Sequence, residues 1–85
     1  MEEVFRYRGC EVSVRVRRLL NGRFRAHHVV VPKTDEAFLA TGGVPRLASA
    51  TELPAGIGDD PKAAALQLTV TAAKAFVDLL YKTQG

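Results

Sequence analysis

The sequence is poor in cysteine, in long apolar runs and in N-terminal positive charge. Its single cysteine, Cys10, cannot form an internal disulfide, which excludes a disulfide-stapled mini-protein and is typical of a reducing compartment. No uninterrupted apolar run approaches the roughly 20 residues of a membrane helix, so we expect no membrane partner. The N-terminal segment 1–3 is acidic where a secretory signal is basic. We therefore expect a cytoplasmic protein.

Chain length and average composition fit one small domain. The 85 residues are 47% hydrophobic and 25% charged, which are ordinary values for a globular protein and unlike those of a disordered chain. Domains rarely contain fewer than about 50 residues, so the chain leaves no room for a second core. We expect a single domain over residues 1–85.

Positive charge is concentrated in the first third of the chain. The net charge is only +3, yet the segment 4–31 holds most of the arginines and a single acidic residue, Glu11. These arginines are Arg6, Arg8, Arg15, Arg17, Arg18, Arg23 and Arg25. A guanidinium group presents a planar set of donors that suits phosphate and carboxylate groups. The simpler alternative is that the arginines only solvate the outer face of a sheet.

A hairpin is predicted at Asn21-Gly22, between two segments rich in β-branched residues. In a two-residue hairpin loop of type I′ both loop residues take positive φ, and asparagine followed by glycine is the strongest short signal for such a loop. Such a loop pairs Val16 with His27 across the two strands. The alternation of side chains then places a set of valines on one face.

A second tight turn is predicted at Gly9-Cys10, with glycine first as a type II′ turn requires. This turn pairs Tyr7 with Val12. Both turns therefore place the apolar side chains of the three strands on the same face of the sheet. We therefore expect a three-stranded antiparallel meander. Its strands span about 4–8, 11–20 and 23–31, and its core face carries Phe5, Tyr7, Val12, Val14, Val16, Val29 and Val31.

The opposite face of the meander is expected to hold an arginine-rich surface for an anion, a nucleic acid or a protein partner. The predicted members are Arg6, Arg8, Arg15, Arg17 and His28. A secondary basic cluster is expected on the core side near the hairpin tip, and consists of Arg18, Arg23 and Arg25. Phe24 is the only aromatic residue predicted on the outer face, which favours contacts to phosphates over stacking on bases.

A long C-terminal helix is predicted over about 61–82. Asp60 is a suitable N-cap, Pro61 suits the first helical position, and neither glycine nor proline follows within the helix. Its apolar band is wider than one sheet requires. The additional members are Leu68, Ala72, Ala75 and Leu79. We expect the middle of the chain to cover them, although they also permit a homodimer.

The segment 32–60 is rich in glycine and proline and has the least regular pattern. A short helix at about 35–40 and a fourth strand at about 46–51, lying against a sheet edge, are predicted there. The complete prediction is an α+β fold in which a three- or four-stranded antiparallel meander packs against one long helix.

No pattern of residues indicates a catalytic centre, a metal site or a cofactor. His27 and His28 are adjacent in a strand and point to opposite faces, so they cannot ligate one ion together. Cys10 has neither a base nor a helix N-terminus beside it. Helix capping accounts for Asp59 and Asp60. We therefore expect a noncatalytic protein without a cofactor.

The segment that leads into the C-terminal helix resembles HicB-type antitoxins. Glu52-Leu53-Pro54-Ala55-Gly56 is similar to the E-L-P-G motif of that family, and Gly58-Asp59-Asp60 to its G-D-T/S segment. The sequence departs from the family at Ala55, which displaces the motif's glycine, and at Lys62-Ala63, where the family has two acidic residues. The resemblance covers the hairpin strands and about 52–82. The sequence is equally similar to small uncharacterised bacterial domains that share a layout of a β-meander and a helix. The resemblance implies a noncatalytic binding domain.

Three functions are consistent with these patterns. The first is a module that binds an as yet unidentified protein through a sheet edge or a helix flank. The second is a nucleic-acid-binding accessory domain that uses the arginine-rich surface. The third is small-molecule binding in the segment 32–60.

Overall fold

A computed structural model describes residues 1–54 and 59–84. It contains four strands and two helices. Their bounds are β1 Glu2–Tyr7, β2 Cys10–Arg18, β3 Phe24–Pro32, α1 Asp35–Ala40, β4 Leu47–Leu53 and α2 Pro61–Gln84. The strands form one antiparallel sheet in the order β1-β2-β3-β4. The predicted α+β fold is confirmed, including the fourth strand, the short helix and the long C-terminal helix.

The turn between β1 and β2 lies one residue earlier than predicted. Arg8 and Gly9 both take positive φ, at 49° and 79°, and Cys10 is already the first residue of β2. Phe5 therefore lies opposite Val12 instead of Val14. Because this shift equals two residues in register, each side chain of β1 keeps its predicted face.

The loop between β2 and β3 contains three residues instead of two. The backbone N–H of Leu19 donates to the carbonyl of Arg23 at 2.7 Å, and Gly22 donates to the carbonyl of Leu19 at 3.0 Å. Only Gly22 takes positive φ, at 84°, whereas Asn21 does not. This is the hairpin in which a type I turn is followed by a left-handed glycine. The register therefore shifts by one residue.

A shift of one residue exchanges the two faces of β3, so the predicted faces of this strand are wrong. Val16 lies opposite Ala26, and Phe24 is fully buried on the helix side of the sheet. The core face of β3 carries Phe24, Ala26, His28 and Val30. The opposite face carries Arg25, His27, Val29 and Val31.

The core lies between the sheet and α2, which packs mainly on β2 and β3. A predominantly aliphatic set of side chains fills it. Its buried members include Cys10, Val12, Val14, Val16, Phe24, Val30, Val70, Ala73 and Val77. The alternating valines of β2 line this interface from the sheet side, because every second residue of the strand points to α2. Cys10 is thus a core residue of a strand, not a turn residue.

Helix α1 packs on the same side of the sheet as α2. Thr34 caps it, with its Oγ1 accepting a hydrogen bond from the N–H of Ala37 at 3.0 Å. Ala37 is buried in the same cluster as Cys10 and Val77. The opposite face of the sheet is therefore not covered by any element that the structure describes.

Helix α2 begins as predicted. The Oδ1 atom of Asp60 accepts a hydrogen bond from the N–H of Ala63 at 3.2 Å, and Pro61 is the first helical residue. An 18-residue window within Pro61–Thr83 has a mean hydropathy of 1.4, so the helix could span a membrane by length and composition alone. Core helices of globular proteins also meet that criterion.

The described part of the middle segment, residues 32–54 and 59–60, does not cover the wide apolar band of α2. Leu68 is 61% exposed and Leu79 is 55% exposed, and Ala72 and Ala75 are exposed between them. The prediction that segment 32–60 covers these four residues is therefore wrong for the residues that the structure describes. Ala55, Gly56 and Gly58 of the antitoxin-like motif lie outside the described residues.

Candidate anion-binding surface on the open sheet face

The face of the sheet opposite to α2 is here called the open face. Its residues alternate with the core residues along every strand. They are Glu2, Val4, Arg6, Glu11, Ser13, Arg15, Arg17, Arg25, His27, Val29, Val31, Ala48, Ala50 and Glu52. Arg6, Arg15 and Arg17 lie there as predicted.

Four basic side chains form a compact group on the open face, towards the hairpin that joins β2 to β3. Arg15 lies opposite His27, and Arg17 lies opposite Arg25 in the adjacent strand. We call these four residues the basic block. Side chains that lie directly opposite in an antiparallel pair have Cβ atoms about 4.5–5.5 Å apart, and like charges at such positions destabilise the pair. The arginine pair therefore concentrates positive charge and lowers the stability of the folded protein.

Acidic residues beside the basic block neutralise only part of its charge. Nε and Nη2 of Arg15 donate to Oε2 of Glu2 at 3.1 and 2.9 Å. Glu52 lies opposite Arg25 in β4, but its Oε1 pairs at 3.0 Å with Nε of the loop residue Arg23. Within residues 1–54 and 59–84, Arg17 and Arg25 have no carboxylate partner within 4.0 Å. Both residues are exposed, so their guanidinium groups are open to solvent.

A shallow depression of about 420 Å³ adjoins the basic block. Arg15, His27 and Glu2 form part of its wall, and Arg46 extends into it from the segment before β4. Arg46 was not among the predicted site residues. The sequence contains no feature that would place it here, because its position depends on how the chain crosses from α1 to β4.

Arg8 does not belong to the predicted outer surface. It occupies the turn after β1, where its backbone directs the side chain to α2. Its Nη1 donates to Oδ1 of Asp78 at 2.8 Å, and its guanidinium carbon lies 4.3 Å from the centre of the Tyr81 ring. The tight turn with positive φ explains this difference, since the prediction treated Arg8 as a strand residue.

His28 does not belong to that surface either, and the one-residue register shift is the reason. Its ring packs against Phe76 on the helix side, with 5.5 Å between ring centres. The buried Nε2 atom has no hydrogen-bond partner in the part of the chain that the structure describes. Burial lowers the pKa of His28, which favours the neutral ring. His28 is therefore unsuited to holding an anion.

The predicted secondary cluster divides among three places. Arg18 lies on the helix side as expected, with its guanidinium carbon 5.3 Å from the centre of the Phe24 ring. Arg23 lies in the hairpin loop and pairs with Glu52. Arg25 lies on the open face and joins the basic block, so its predicted core-side placement is wrong.

A second polar group connects the first hairpin to α2. The hydroxyl of Tyr7 donates to both carboxylate oxygens of Asp78, and the hydroxyl of Tyr81 donates to the carbonyl of Arg8 at 2.6 Å. The hydrogen bonds from Arg8 and Tyr7 lower the pKa of Asp78, and the bond to Asp78 raises the pKa of Tyr7. These contacts are satisfied within the fold, so we assign this group a structural role.

The described residues contain no group of three histidine, cysteine or acidic side chains that could hold a metal ion. The thiol of Cys10 is 1% exposed, and burial raises its pKa. A buried thiol with a raised pKa is a weak nucleophile under native conditions.

Comparisons of the chain with family models, with curated proteins and with solved structures give no match.

Proposed function

We propose that the protein is a noncatalytic binding module that holds the phosphate groups of a nucleic acid on its open face. The observation that supports this proposal is the position of Arg17 directly opposite Arg25, without a carboxylate partner for either within the described residues. Solvation of a sheet does not require two guanidinium groups at one cross-strand position. A phosphate group between them would remove the repulsion and accept charge-assisted hydrogen bonds from both.

The surroundings of the basic block favour contacts to the nucleic acid backbone. Arg46 and the depression beside Arg15 extend the positive surface, so that it could follow a chain of phosphates. No aromatic residue lies on the open face within the described residues, because Phe24 is buried on the other side. Stacking on bases is therefore not part of this proposal. We expect little dependence on base sequence and a steep dependence on salt.

Titration of short labelled single- and double-stranded RNA and DNA tests the proposal. The informative variant is Arg17→Ala combined with Arg25→Ala. The matched control is Lys33→Ala combined with Lys74→Ala, which removes the same net charge at exposed positions outside the basic block. For duplex DNA, each lost phosphate contact lowers the slope of log affinity against log salt by about 0.9, so the arginine variant should lower it by about 2.

The control variant should retain both the affinity and the salt slope. An equal loss of affinity in the two double variants would show that net charge, and not the basic block, is responsible. Absence of binding at low salt for the unaltered protein would exclude the proposal.

The outer edge of β4 pairs with no other strand of the described residues, which favours a second candidate function, the binding of an extended protein segment. Residues 48–51 of this edge strand are small, uncharged and exposed, whereas β1 at the other edge carries Glu2, Glu3 and Arg6. Charged side chains protect an edge from further pairing, and an unprotected edge can accept another strand. Under the resemblance to HicB-type antitoxins, the partner would be a toxin protein.

Purification of the tagged protein from its native host tests this second function. Ala50→Lys places a charge on the β4 edge, and Val4→Lys places the same charge on the β1 edge as a control. A stoichiometric protein that accompanies the control but not Ala50→Lys would support strand addition at β4. Equal recovery with both variants would exclude it. Small-molecule binding in 32–60 stays a prediction, since residues 55–58 lie outside the described part.

A further inference from the structure

One strip of apolar side chains on α2 remains exposed in the structure. Leu68, Ala72, Ala75 and Leu79 form it, and we call them the apolar strip. Only 28% of the most apolar 18-residue window of this helix is buried. A helix that packs on a single sheet normally shows a polar outer face, so the apolar strip indicates that a further surface covers it.

The apolar strip is symmetric along the helix. Its members are spaced by four, three and four residues, with leucine at both ends and alanine at both central positions. A two-fold axis through the midpoint would place Leu68 opposite Leu79 of a second copy, and Ala72 opposite Ala75 of that copy. Such a self-complementary surface is what a two-fold dimer interface requires. The central alanines allow a close approach of the two helices.

The charges at the two ends of α2 favour an antiparallel arrangement. The exposed carboxylates Asp59 and Asp60 precede the helix, and Lys82 lies in its last turn. An antiparallel pair brings the acidic end of each helix towards the Lys82 of the other and opposes the two helix dipoles. With a rise of 1.5 Å per residue, Lys82 of one copy lies about 8 Å along the axis from Asp60 of the other. A parallel pair would instead bring like charges together.

We propose that the chain forms a two-fold homodimer in which the apolar strips of two α2 helices pack antiparallel to each other. The dimer has four layers, sheet, helix, helix and sheet, and both open faces remain on its outer surfaces. The proposal does not depend on nucleic acid binding. If the open face does bind nucleic acid, the dimer presents two basic blocks and gains from bivalent attachment.

The mass of the protein in solution, measured over a range of concentrations by sedimentation velocity, tests the dimer. The unaltered chain should have twice the monomer mass. Leu68→Glu and Leu79→Glu should each raise the dissociation constant at least tenfold, because each buries two charges at the interface. The matched control is Leu39→Glu in α1, where the leucine is 71% exposed but outside the apolar strip. It should leave the dimer intact.

Cysteine cross-linking tests the direction of the two helices. A mixture of Leu68→Cys and Leu79→Cys proteins should form the mixed disulfide under mild oxidation. In an antiparallel dimer of Leu68→Cys alone, the two introduced thiols would lie about 16 Å apart along the axis, too far for a disulfide. Cys10 is 1% exposed and should not contribute. Predominant formation of the two homodisulfides would overturn the antiparallel arrangement.

A lipid surface is the alternative occupant of the apolar strip, and the same variants distinguish it. Vesicles of phosphatidylcholine and phosphatidylglycerol serve as the probe in a cosedimentation assay. A folded monomer at all concentrations would overturn the dimer proposal, and vesicle binding that Leu68→Glu abolishes would then assign the strip to a membrane. Circular dichroism of each variant establishes that it is folded before either measurement.

Discussion

The hydroxyl group of Tyr7 donates hydrogen bonds to both carboxylate oxygens of Asp78, at 2.9 and 3.0 Å, although 71 positions separate the two residues in the sequence. Arg8 pairs with the same carboxylate, and its guanidinium group also lies over Tyr81. The first hairpin is thereby attached to the last third of α2. This attachment acts at the opposite end of the sheet from the buried Phe24, so the helix is held at both ends.

We expect Asp78→Asn to lower the melting temperature at neutral pH, because it removes the negative charge that Arg8 and Tyr7 share. The hydrogen bonds from Arg8 and Tyr7 lower the pKa of Asp78 in the folded protein. A lowered pKa means that this stabilisation is complete above the ordinary carboxyl pKa and is lost as pH falls through the folded value.

Thermal unfolding at several pH values checks this expectation. The difference in melting temperature between the unaltered protein and Asp78→Asn should shrink as pH falls below about 4. Asp59→Asn serves as a control for loss of one exposed carboxylate, and it should not reproduce the difference. A difference in melting temperature that stays the same in acid would show that Asp78 acts through packing alone.

A second expectation concerns the Nε2 atom of His28, which has no hydrogen-bond partner among the residues that the structure describes. An unsatisfied buried polar atom costs roughly 1–3 kcal/mol, so His28→Leu should raise the free energy of unfolding by about 1 kcal/mol at neutral pH. For a domain of this size, that corresponds to an increase in melting temperature of about 4–8 °C. The replacement would place an apolar side chain beside Phe76, whose ring packs against His28 in the unaltered protein.

The same variant should change the pH dependence of stability. Burial lowers the pKa of His28, so the unfolded chain takes up a proton before the folded one does. Stability should therefore decline as pH falls below about 6.5 towards the folded pKa, and His28→Leu should remove this decline. His27→Leu on the open face is the matched control and should retain it. Identical pH profiles for the unaltered protein and His28→Leu would contradict the assignment.

The two hairpin glycines allow a direct comparison of backbone strain with steric overlap. Gly9 and Gly22 take nearly equal φ, 79° and 84°, so alanine at either position should cost about 1–2 kcal/mol for the left-handed conformation. A Cβ at Gly9 would also lie 2.6 Å from Oγ1 of Thr34, whereas a Cβ at Gly22 would meet nothing within 4 Å.

We therefore expect Gly9→Ala to destabilise the protein by at least about 1 kcal/mol more than Gly22→Ala, because Thr34 must leave its capping position on α1. Urea unfolding of the two variants measures the difference. Equal decreases in the free energy of unfolding would mean that the turn and the start of α1 move apart without destabilising the protein.

The element pattern could be predicted from the sequence, because it depends on local periodicity and on turn residues. Alternating valines specify β2, and the capping residues Asp60 and Pro61 specify the start of α2. The two faces of β1 are also predicted correctly, although its turn is misplaced by one residue. The misplaced turn shifts the pairing of β1 with β2 by two residues, and a shift of two leaves each side chain on the same face.

The candidate surface was less predictable because it depends on the length of one loop. Asn21-Gly22 fits both a two-residue loop and a three-residue loop, and only the conformation of Asn21 distinguishes them. The three-residue loop places Arg25 on the open face and His28 on the core side of the sheet. The burial of Phe24 could have favoured the longer loop, because the two-residue register leaves this large aromatic side chain on the outside.

The repulsion between Arg17 and Arg25 leads to a last expectation, in which stability and binding change in opposite directions. Arg17→Glu replaces the like-charged pair with an opposite-charged one, and cross-strand pairs contribute roughly 0.2–1 kcal/mol. We expect the free energy of unfolding to increase by about 0.5–1 kcal/mol at low salt. Added salt should reduce this gain, because both side chains are exposed.

Arg6→Glu is the matched control for that variant, since Arg6 lies opposite Glu11 and the same substitution there creates a like-charged pair. It should lower stability while Arg17→Glu raises it. Nucleic acid affinity should fall much more with Arg17→Glu than with Arg6→Glu, because only the former lies in the basic block. If Arg17→Glu left stability unchanged and affinity intact, the two guanidinium groups would neither repel each other nor share a phosphate, and the proposed site would fail on both counts.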